Sequence, residues 1–140
     1  MSRGLRNRNP GNIRRTGSAP LYRGECRRVR DAEFREFVSM EWGYRAMFVL
    51  LHTYRLRYGL CTAAGMVARW APPAENDTRS YLRYVTDAVG LRDDEPVDTL
   101  DGKTMVPFVA AMSEVENGVR AVWSDVERGW QLFYADFGGK

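Results

Sequence analysis

Hydrophobic side chains from Trp42 onward recur at steps of three and four residues, the spacing that places them on one face of an α-helix. This pattern predicts a first long helix that begins near Trp42 and stops at Gly59. Thr62 is suited to cap a second, shorter helix that runs to about Ala71, where Pro72-Pro73 would halt it. The middle of the chain is therefore expected to be helical.

Three more helices follow from the same analysis. Asp77 or Thr78 would open the third, and Gly90 would end it. Thr104 to Glu116 predicts the fourth, and the capping-box pattern Ser124-Asp125-Val126-Glu127 predicts the start of the last.

The first forty residues have a different character. Gly4 to Arg14 spells G-L-R-N-R-N-P-G-N-I-R, whose proline, glycines and asparagines predict a structured loop and no regular helix. Cys26–Arg30 and Glu33–Phe37 are short runs separated by two residues, which predicts a small β-hairpin. The expected fold is mainly α, of the α+β kind, with five or so helices and a small N-terminal hairpin.

Length and composition favour an ordinary globule. A chain of 140 residues, 44% hydrophobic and 28% charged, predicts a single domain over residues 1–140. No run of 18 apolar residues predicts a membrane span, and no secretory signal is present, so synthesis in the bacterial cytoplasm is expected. No Cys/His cluster has metal-ligand spacing, so neither metal nor cofactor is predicted. Cys26 and Cys61 allow one bridge or two thiols.

Charge is distributed unevenly. Residues 1–30 carry nine arginines and one glutamate, a balance of +8, which leaves −5 for the rest of the chain. Such an arm could meet nucleic acid, an anionic membrane or an anionic polymer such as a bacterial cell wall. Its arginines are not interleaved with stacking aromatic residues, so specific nucleic-acid binding is not expected.

Glu116 is the most promising catalytic carboxylate. It shares a helical stripe with Val109 and Met112, at the edge of an apolar face and in the last turn of its helix. Partial burial and the negative end of the helix dipole would both raise its pKa, which suits a general acid. Glu114 should face water instead. The structural alternative for Glu116 is a surface glutamate before a glycine cap.

A second group of candidates surrounds the two adjacent prolines. Its polar members are Glu75, Asn76, Asp77 and Thr78, and its aromatic members are Trp70 and Tyr81. Four polar residues exceed what one helix cap requires, and aromatic faces with amide and carboxylate groups suit a saccharide groove. An elaborate helix start is the structural alternative.

Five motifs occur in a characteristic order along the chain. They are G-L-R-N-R-N-P-G-N-I-R, F-x-x-F at Phe34 to Phe37, G-Y-R-A at Gly43 to Ala46, R-W-A-P-P-A-E-N-D-T-x-x-Y at Arg69 to Tyr81, and E-N-G at Glu116 to Gly118. Together they resemble phage and prophage proteins labelled virion structural or lytic proteins. That group includes the muralytic enzyme of enveloped double-stranded RNA phages. The resemblance covers Gly4 to about Trp130.

The resemblance implies a lysozyme-like domain that degrades bacterial peptidoglycan. The chain also resembles flagellar-type glucosaminidases, but with two elements in the opposite order. In those enzymes the glutamate helix precedes the hairpin element, whereas here the hairpin element comes first. A circular permutation would explain this order and would bring Glu116 beside the loop that carries Asn9 and Asn12. Two departures from the related sequences, at Arg8 and at Leu21–Gly24, weaken the assignment of sugar contacts.

The resemblance also implies roles for individual residues. Glu116 would be the catalytic acid, with Glu75, Asn76, Thr78 and Tyr81 lining the groove. For the reaction itself we expect a second carboxylate, Glu75, to activate water unless the N-acetyl or hydroxyl group of the sugar serves instead. The substrate-binding residues would be Asn9, Asn12, Trp70, Asn76, Thr78 and Tyr81.

The expected function is cleavage of the glycan strand by a muramidase, glucosaminidase or lytic transglycosylase type of reaction. A cross-link endopeptidase and a non-enzymatic virion or wall-binding protein are the alternatives, and an arginine-arm nucleic-acid binder is a third. A monomer that reaches the wall through holin-type release or inside a virion is expected. The bond cut, the stereochemistry and the host range stay open.

Overall fold

The computed structural model describes residues 1 to 139, which are mainly helical. Six helices follow in chain order: α1 Arg3–Arg6, α2 Met40–Tyr58, α3 Ala63–Trp70, α4 Thr78–Val89, α5 Gly102–Asn117 and α6 Trp123–Phe137. The β structure within residues 1–139 consists of isolated antiparallel bridges. No helix in this part of the chain has the length and apolar character needed to cross a membrane.

The five long helices confirm the predicted pattern, and local chemistry explains their ends. The side chains of Thr62 and Asp77 accept hydrogen bonds from backbone amides in the first turns of α3 and α4. Gly59 and Gly90 adopt the left-handed conformation that ends α2 and α4.

Two predictions about helices are wrong, one about where a helix starts and one about a segment without a helix. Ser124 does not cap α6, because the helix already begins at Trp123 and its flanking residue, Val122, makes no side-chain cap. In the segment predicted to lack a helix, Arg3–Arg6 forms one short turn. It forms because the Ser2 hydroxyl accepts a hydrogen bond from the Leu5 amide, before the turn-forming residues begin.

The predicted hairpin between residues 26–30 and 33–37 is also absent. The Asp31 carboxylate accepts the backbone amides of Glu33 and Phe34, so the chain turns there on a side chain. The residues after this turn pair with residues 13–15 through the bridge between Arg14 and Phe34. The backbones of the two predicted runs meet near their far ends, where Glu25 and Phe37 form an isolated bridge and the Cys26 amide donates to the Glu36 carbonyl. Pairing with residues 13–15 therefore takes up much of the second run, and one isolated bridge stands where the spacing predicted a hairpin.

Helix α2 lies at the centre of the hydrophobic core. Its residues Met47, Phe48 and Leu51 are completely buried. Gly129 allows α6 to pack close to it, since a Cβ atom at Gly129 would lie only 2.6 Å from the Cβ of Tyr44. This close pairing builds the scaffold on which the N-terminal loop rests.

The N-terminal loop, residues 7–13, is packed against the helices with no room to spare. A Cβ atom on Gly43 of α2 would overlap the carbonyl oxygen of Arg8 and lie 2.6 Å from the Cδ of Pro10. A Cβ atom on Gly11 would lie 2.6 Å from the Cζ2 of Trp70. Two glycines therefore fix how closely this loop approaches α2 and α3.

Hydrogen bonds join the same loop to the end of α5. The Ser2 hydroxyl donates to the Asn117 side-chain oxygen over 2.7 Å. The Asn117 amide donates in turn to the Pro10 carbonyl over 2.9 Å. These contacts connect positions more than 100 residues apart in sequence and place Glu116 next to the loop.

We predict that Gly43→Ala lowers the free energy of unfolding by about 2 kcal/mol, because the added methyl group displaces the loop. The gain in helix propensity, about 1 kcal/mol, should not offset this overlap. Thermal or urea denaturation measures the effect.

Gly65→Ala in α3 is the matched control, because the nearest atom to its added Cβ is 3.3 Å away. Its stability should stay equal to that of the wild type or rise by up to about 1 kcal/mol. Equal stabilities for the two variants would contradict the close-packing argument.

Candidate active site

A groove of ≈ 830 Å³ opens between the N-terminal loop and the ends of α2, α3 and α5. Its walls include aromatic rings, amide groups, arginines and two carboxyl groups. The residues used below are Asn12, Arg14, Arg35, Tyr54, Arg57, Tyr58, Arg69, Trp70, Glu75, Asn76 and Glu116. A groove of this size can accept several units of a polymer or a small ligand.

Glu116 lies half-buried in this groove, and both of its carboxyl oxygens are hydrogen-bonded. Oε1 accepts from the Asn12 side-chain amide over 2.9 Å, and Oε2 accepts from the Tyr81 hydroxyl over 3.0 Å. Burial raises the pKa of Glu116, while these two donors act in the opposite direction. Burial is the larger effect, so the pKa lies above its ordinary value.

The partners of Glu116 suit both of its protonation states. Among residues 1–139, the buried side-chain oxygen of Asn12 has no hydrogen-bond partner, and a Cβ atom on Gly4 would lie only 2.9 Å from it. Rotating this amide by half a turn would present the oxygen to a protonated Glu116. The Tyr81 hydroxyl can likewise donate to the anion or accept from the acid. The pair can therefore hold the carboxyl group before and after it gives up a proton.

Aromatic residues form one wall of the groove. The Trp70 indole N–H donates to the Gly11 carbonyl over 3.1 Å, which ties α3 to the loop. Tyr54 meets the Trp70 ring edge-on, with ring centroids 6.0 Å apart. Burial raises the pKa of Tyr54 to about 12, so the phenol stays neutral in physiological conditions. This wall offers flat apolar faces to a ligand.

A buried ion pair supports the opposite wall. The Arg35 guanidinium donates to the Glu25 carboxylate over 2.6 Å, and both side chains are almost fully buried. Arg35 also donates to the Arg14 carbonyl and to the Thr16 hydroxyl. Removing Glu25 would leave the Arg35 charge buried and unpaired, so the pair holds this wall in place.

Comparison with known proteins gives one informative match. No protein-family model matches the chain. It is 34% identical over 132 residues to Protein P5 of Pseudoalteromonas phage PM2, a similarity that covers 93% of this chain and 81% of that protein. The chain belongs to the family of this phage protein. The expected relation to phage proteins is thus confirmed, and the name Protein P5 states no activity.

In this P5-family protein, the structure brings most of the predicted site residues into one groove. Asn12 and Trp70 line it together with Glu116. Glu75 and Asn76 also border it, with exposed side chains. The two regions that the sequence singled out, the loop and the proline segment, therefore face the same space.

Three predicted site residues occupy supporting positions instead. Asn9 is completely buried, and its side chain bonds the backbone of Ile13 and Arg35, so its amide holds the loop. The Thr78 hydroxyl donates to the Ala71 carbonyl over 2.6 Å, at the start of α4. Tyr81 is buried and contacts Glu116. None of the three lines the groove.

Glu114 differs from the expectation that it faces water. It is half-buried and accepts hydrogen bonds from the Tyr84 hydroxyl over 2.7 Å and from the Ala121 amide over 3.0 Å. The connection between α5 and α6 folds back over this side of the helix, which helical periodicity alone does not show. Glu114 does not line the groove.

The basic N-terminal arm is partly neutralised within the fold. Arg3 pairs with Asp31 over 2.6 Å, and Arg30 pairs with Glu36. Further ion pairs connect Arg14 to Glu33, Arg15 to Glu25 and Arg23 to Asp136. Five of the nine arginines that suggested a polyanion-binding arm thus take part in ion pairs that hold this region together.

Two functional candidates were missed by the sequence analysis. Arg57 and Arg69 line the groove, where the sequence argument had placed only carboxylate, amide and aromatic groups. Helical spacing could have indicated Arg57, since it lies three residues after Tyr54 on the same face. Arg69 stands directly before Trp70 in the proline motif. Within residues 1–139, no group of His, Cys, Asp and Glu has metal-binding geometry, and Cys26 and Cys61 are free thiols.

We predict that Glu116→Gln increases stability relative to the wild type as the pH rises. Because the pKa of Glu116 is raised by folding, the folded protein binds this proton more tightly than the unfolded chain. The stabilisation is therefore present at acidic pH and is lost as the pH rises through the folded pKa. Glutamine stays neutral and avoids this loss.

The difference in stability is measured by denaturing both proteins at pH values from about 4 to about 8. This interval begins near the ordinary pKa of a glutamate and extends above it. The two stabilities should converge at the acidic end. A Glu116→Gln variant that loses its relative stability with rising pH would show that the native site favours the anion.

Proposed function

We propose that this protein cleaves the glycan strand of bacterial peptidoglycan, with Glu116 as the general acid. The observation that carries the proposal is the half-buried Glu116 carboxyl group, whose pKa is raised and which opens onto the groove of ≈ 830 Å³. The resemblance to lytic phage proteins supports this substrate, and membership of a phage protein family agrees with it. The domain is then lysozyme-like.

In the proposed reaction, protonated Glu116 gives its proton to the glycosidic oxygen as the bond to the anomeric carbon breaks. The departing sugar leaves as an alcohol, and an oxocarbenium-like centre develops on the other sugar. Glu116 becomes an anion, and the donors on Asn12 and Tyr81 then stabilise it. The same carboxylate can later recover a proton from the incoming nucleophile.

The second step needs a nucleophile for the sugar cation. Glu75 borders the same groove and is exposed to solvent, and in this proposal its carboxylate takes a proton from the attacking water. Where Glu75 does not reach, the N-acetyl or hydroxyl group of the sugar closes on the cation instead. These two routes correspond to a hydrolase and to a substrate-assisted enzyme or lytic transglycosylase.

A non-enzymatic role is the competing proposal, and one observation favours it. Both carboxyl oxygens of Glu116 already have hydrogen-bond partners, so this side chain of α5 also connects the loop to α4. A protein that only binds the wall, as a virion component, would need no more than this. Cross-link endopeptidase activity is a further alternative. In every case the protein would reach the wall by holin-type release or within a particle.

We predict that the wild-type protein clears purified peptidoglycan and that Glu116→Gln reduces the rate at least about a hundredfold, the usual contribution of a general acid. Turbidity of a wall suspension measures the rate. Glu114→Gln is the matched control: it lies in the same helix outside the groove, and its activity should remain within about twofold of the wild type. Full activity of Glu116→Gln would remove the acid assignment.

We also predict that Tyr81→Phe moves the alkaline limb of the pH–rate profile to higher pH. The Tyr81 hydroxyl donates to the carboxylate and so lowers the pKa of Glu116, and its removal lets that pKa rise. The acid then stays protonated at higher pH. A limb that stays in place or moves to lower pH would show that another group is the acid.

A further inference from the structure

We propose that Arg57 and Arg69 form a carboxylate-binding subsite in the groove, which recognises the acidic substituents of the wall polymer. This inference rests on the proposed function and specifies its substrate. The acidic groups available on a glycan strand are the carboxylates of the stem peptide and, where the stem has been removed, the lactyl carboxylate of muramic acid. Both have the same chemistry, and the experiment below distinguishes them.

The first observation is that these two arginines are not neutralised within the fold. Within residues 1–139, no carboxylate lies within 4.0 Å of Arg57 or Arg69, although many other arginines are paired. Arg55, also in the last turn of α2, pairs with Asp98 over 2.9 Å. Arg35, which borders the same groove, is paired with Glu25. Arg57 and Arg69 keep their charge available to a ligand.

The second observation is that Arg69 is held in place by aromatic rings. Its guanidinium carbon lies 3.8 Å from the centre of the Tyr58 ring and 5.2 Å from that of Tyr54. Stacking restricts the rotation of a long side chain, so less conformational entropy is lost when it binds. A guanidinium group restrained in this way presents N–H donors that suit the two oxygens of a carboxylate.

The third observation is the charge of the groove as a whole. Four arginines line it, of which Arg14 and Arg35 are paired with Glu33 and Glu25. This leaves Arg57 and Arg69 against the carboxyl groups of Glu75 and Glu116. In the acid form required for catalysis Glu116 is neutral, so the groove is then positive. A neutral saccharide would draw no benefit from this charge, whereas a strand with repeated carboxylates would.

Helix-end stabilisation is the alternative explanation, since both arginines lie in the last turns of their helices. That explanation requires no ligand and predicts no preference between acidic and neutral strands. The two explanations therefore differ in a measurable affinity.

The test is a binding measurement on the full chain in the Glu116→Gln background, so that binding is measured without turnover. The probes are stem-bearing glycan strands, strands stripped of stems by an amidase, both strands after carbodiimide coupling to methylamine, and a neutral chitin oligosaccharide. The compared proteins carry Arg57→Gln with Arg69→Gln or, as a control with the same change in charge, Arg55→Gln with Arg128→Gln.

We expect neutralisation of the strand to weaken binding about tenfold in the background and in the control variant. The double variant at Arg57 and Arg69 should bind all probes with similar, weak affinity. If neutralising the stripped strands lowers their affinity, the ligand of the subsite is the lactyl carboxylate. If neutralisation lowers the affinity of stem-bearing strands alone, the ligand is a carboxylate of the stem peptide.

A double variant that keeps its preference for acidic strands would overturn the subsite while leaving glycan binding intact. Equal binding of acidic and neutralised strands by the background protein would do the same. Failure of every glycan probe to bind would instead overturn the proposed function, and the subsite with it.

Discussion

The attachment of the N-terminal loop to the end of α5 is the constraint on which the site depends. Ser2 and Pro10 hold the Asn117 side chain, and Asn12 holds the adjacent Glu116. Without these contacts, the last turn of α5 would be exposed and its glutamate would be an ordinary surface acid. The loop can approach this closely because Gly43 of α2 and Gly11 of the loop have no side chains that would separate the packed elements. Packing therefore decides the electrostatics of the carboxyl group.

Two opposing influences then set the behaviour of Glu116. Burial disfavours its charge, and the donors on Asn12 and Tyr81 favour it. A carboxyl group that was only buried would hold its proton too tightly to release it. A carboxylate that only accepted hydrogen bonds would lose its proton at too low a pH to serve as an acid. This balance, with burial the larger influence, suits a proton donor that must also survive as an anion. The same interactions let Glu116 connect the loop, α4 and α5. Measured activity, and not geometry, must therefore decide between a catalytic and a structural role.

Much of this arrangement followed from the sequence, because helix ends carry local chemistry. Thr62 and Gly59 define their helix ends with little influence from the rest of the fold. The hairpin prediction failed because the Asp31 side chain captures neighbouring amides, a competition that residue spacing does not reveal. Arg57 was overlooked because whether an arginine is paired depends on carboxylates far away in sequence. The partnership of Glu116 with the N-terminal loop was suggested by resemblance, and no periodicity could have supplied it.

The groove thus joins an acid, aromatic walls and unpaired arginines in a member of a phage protein family. Mass spectrometry of purified peptidoglycan digested by the protein tests the central claim most directly. Cleavage of the glycan strand predicts fragments that end in new reducing sugars or in anhydro-sugars, with intact peptide cross-links. Fragments with unbroken sugar chains and newly freed peptide amino groups would contradict the account.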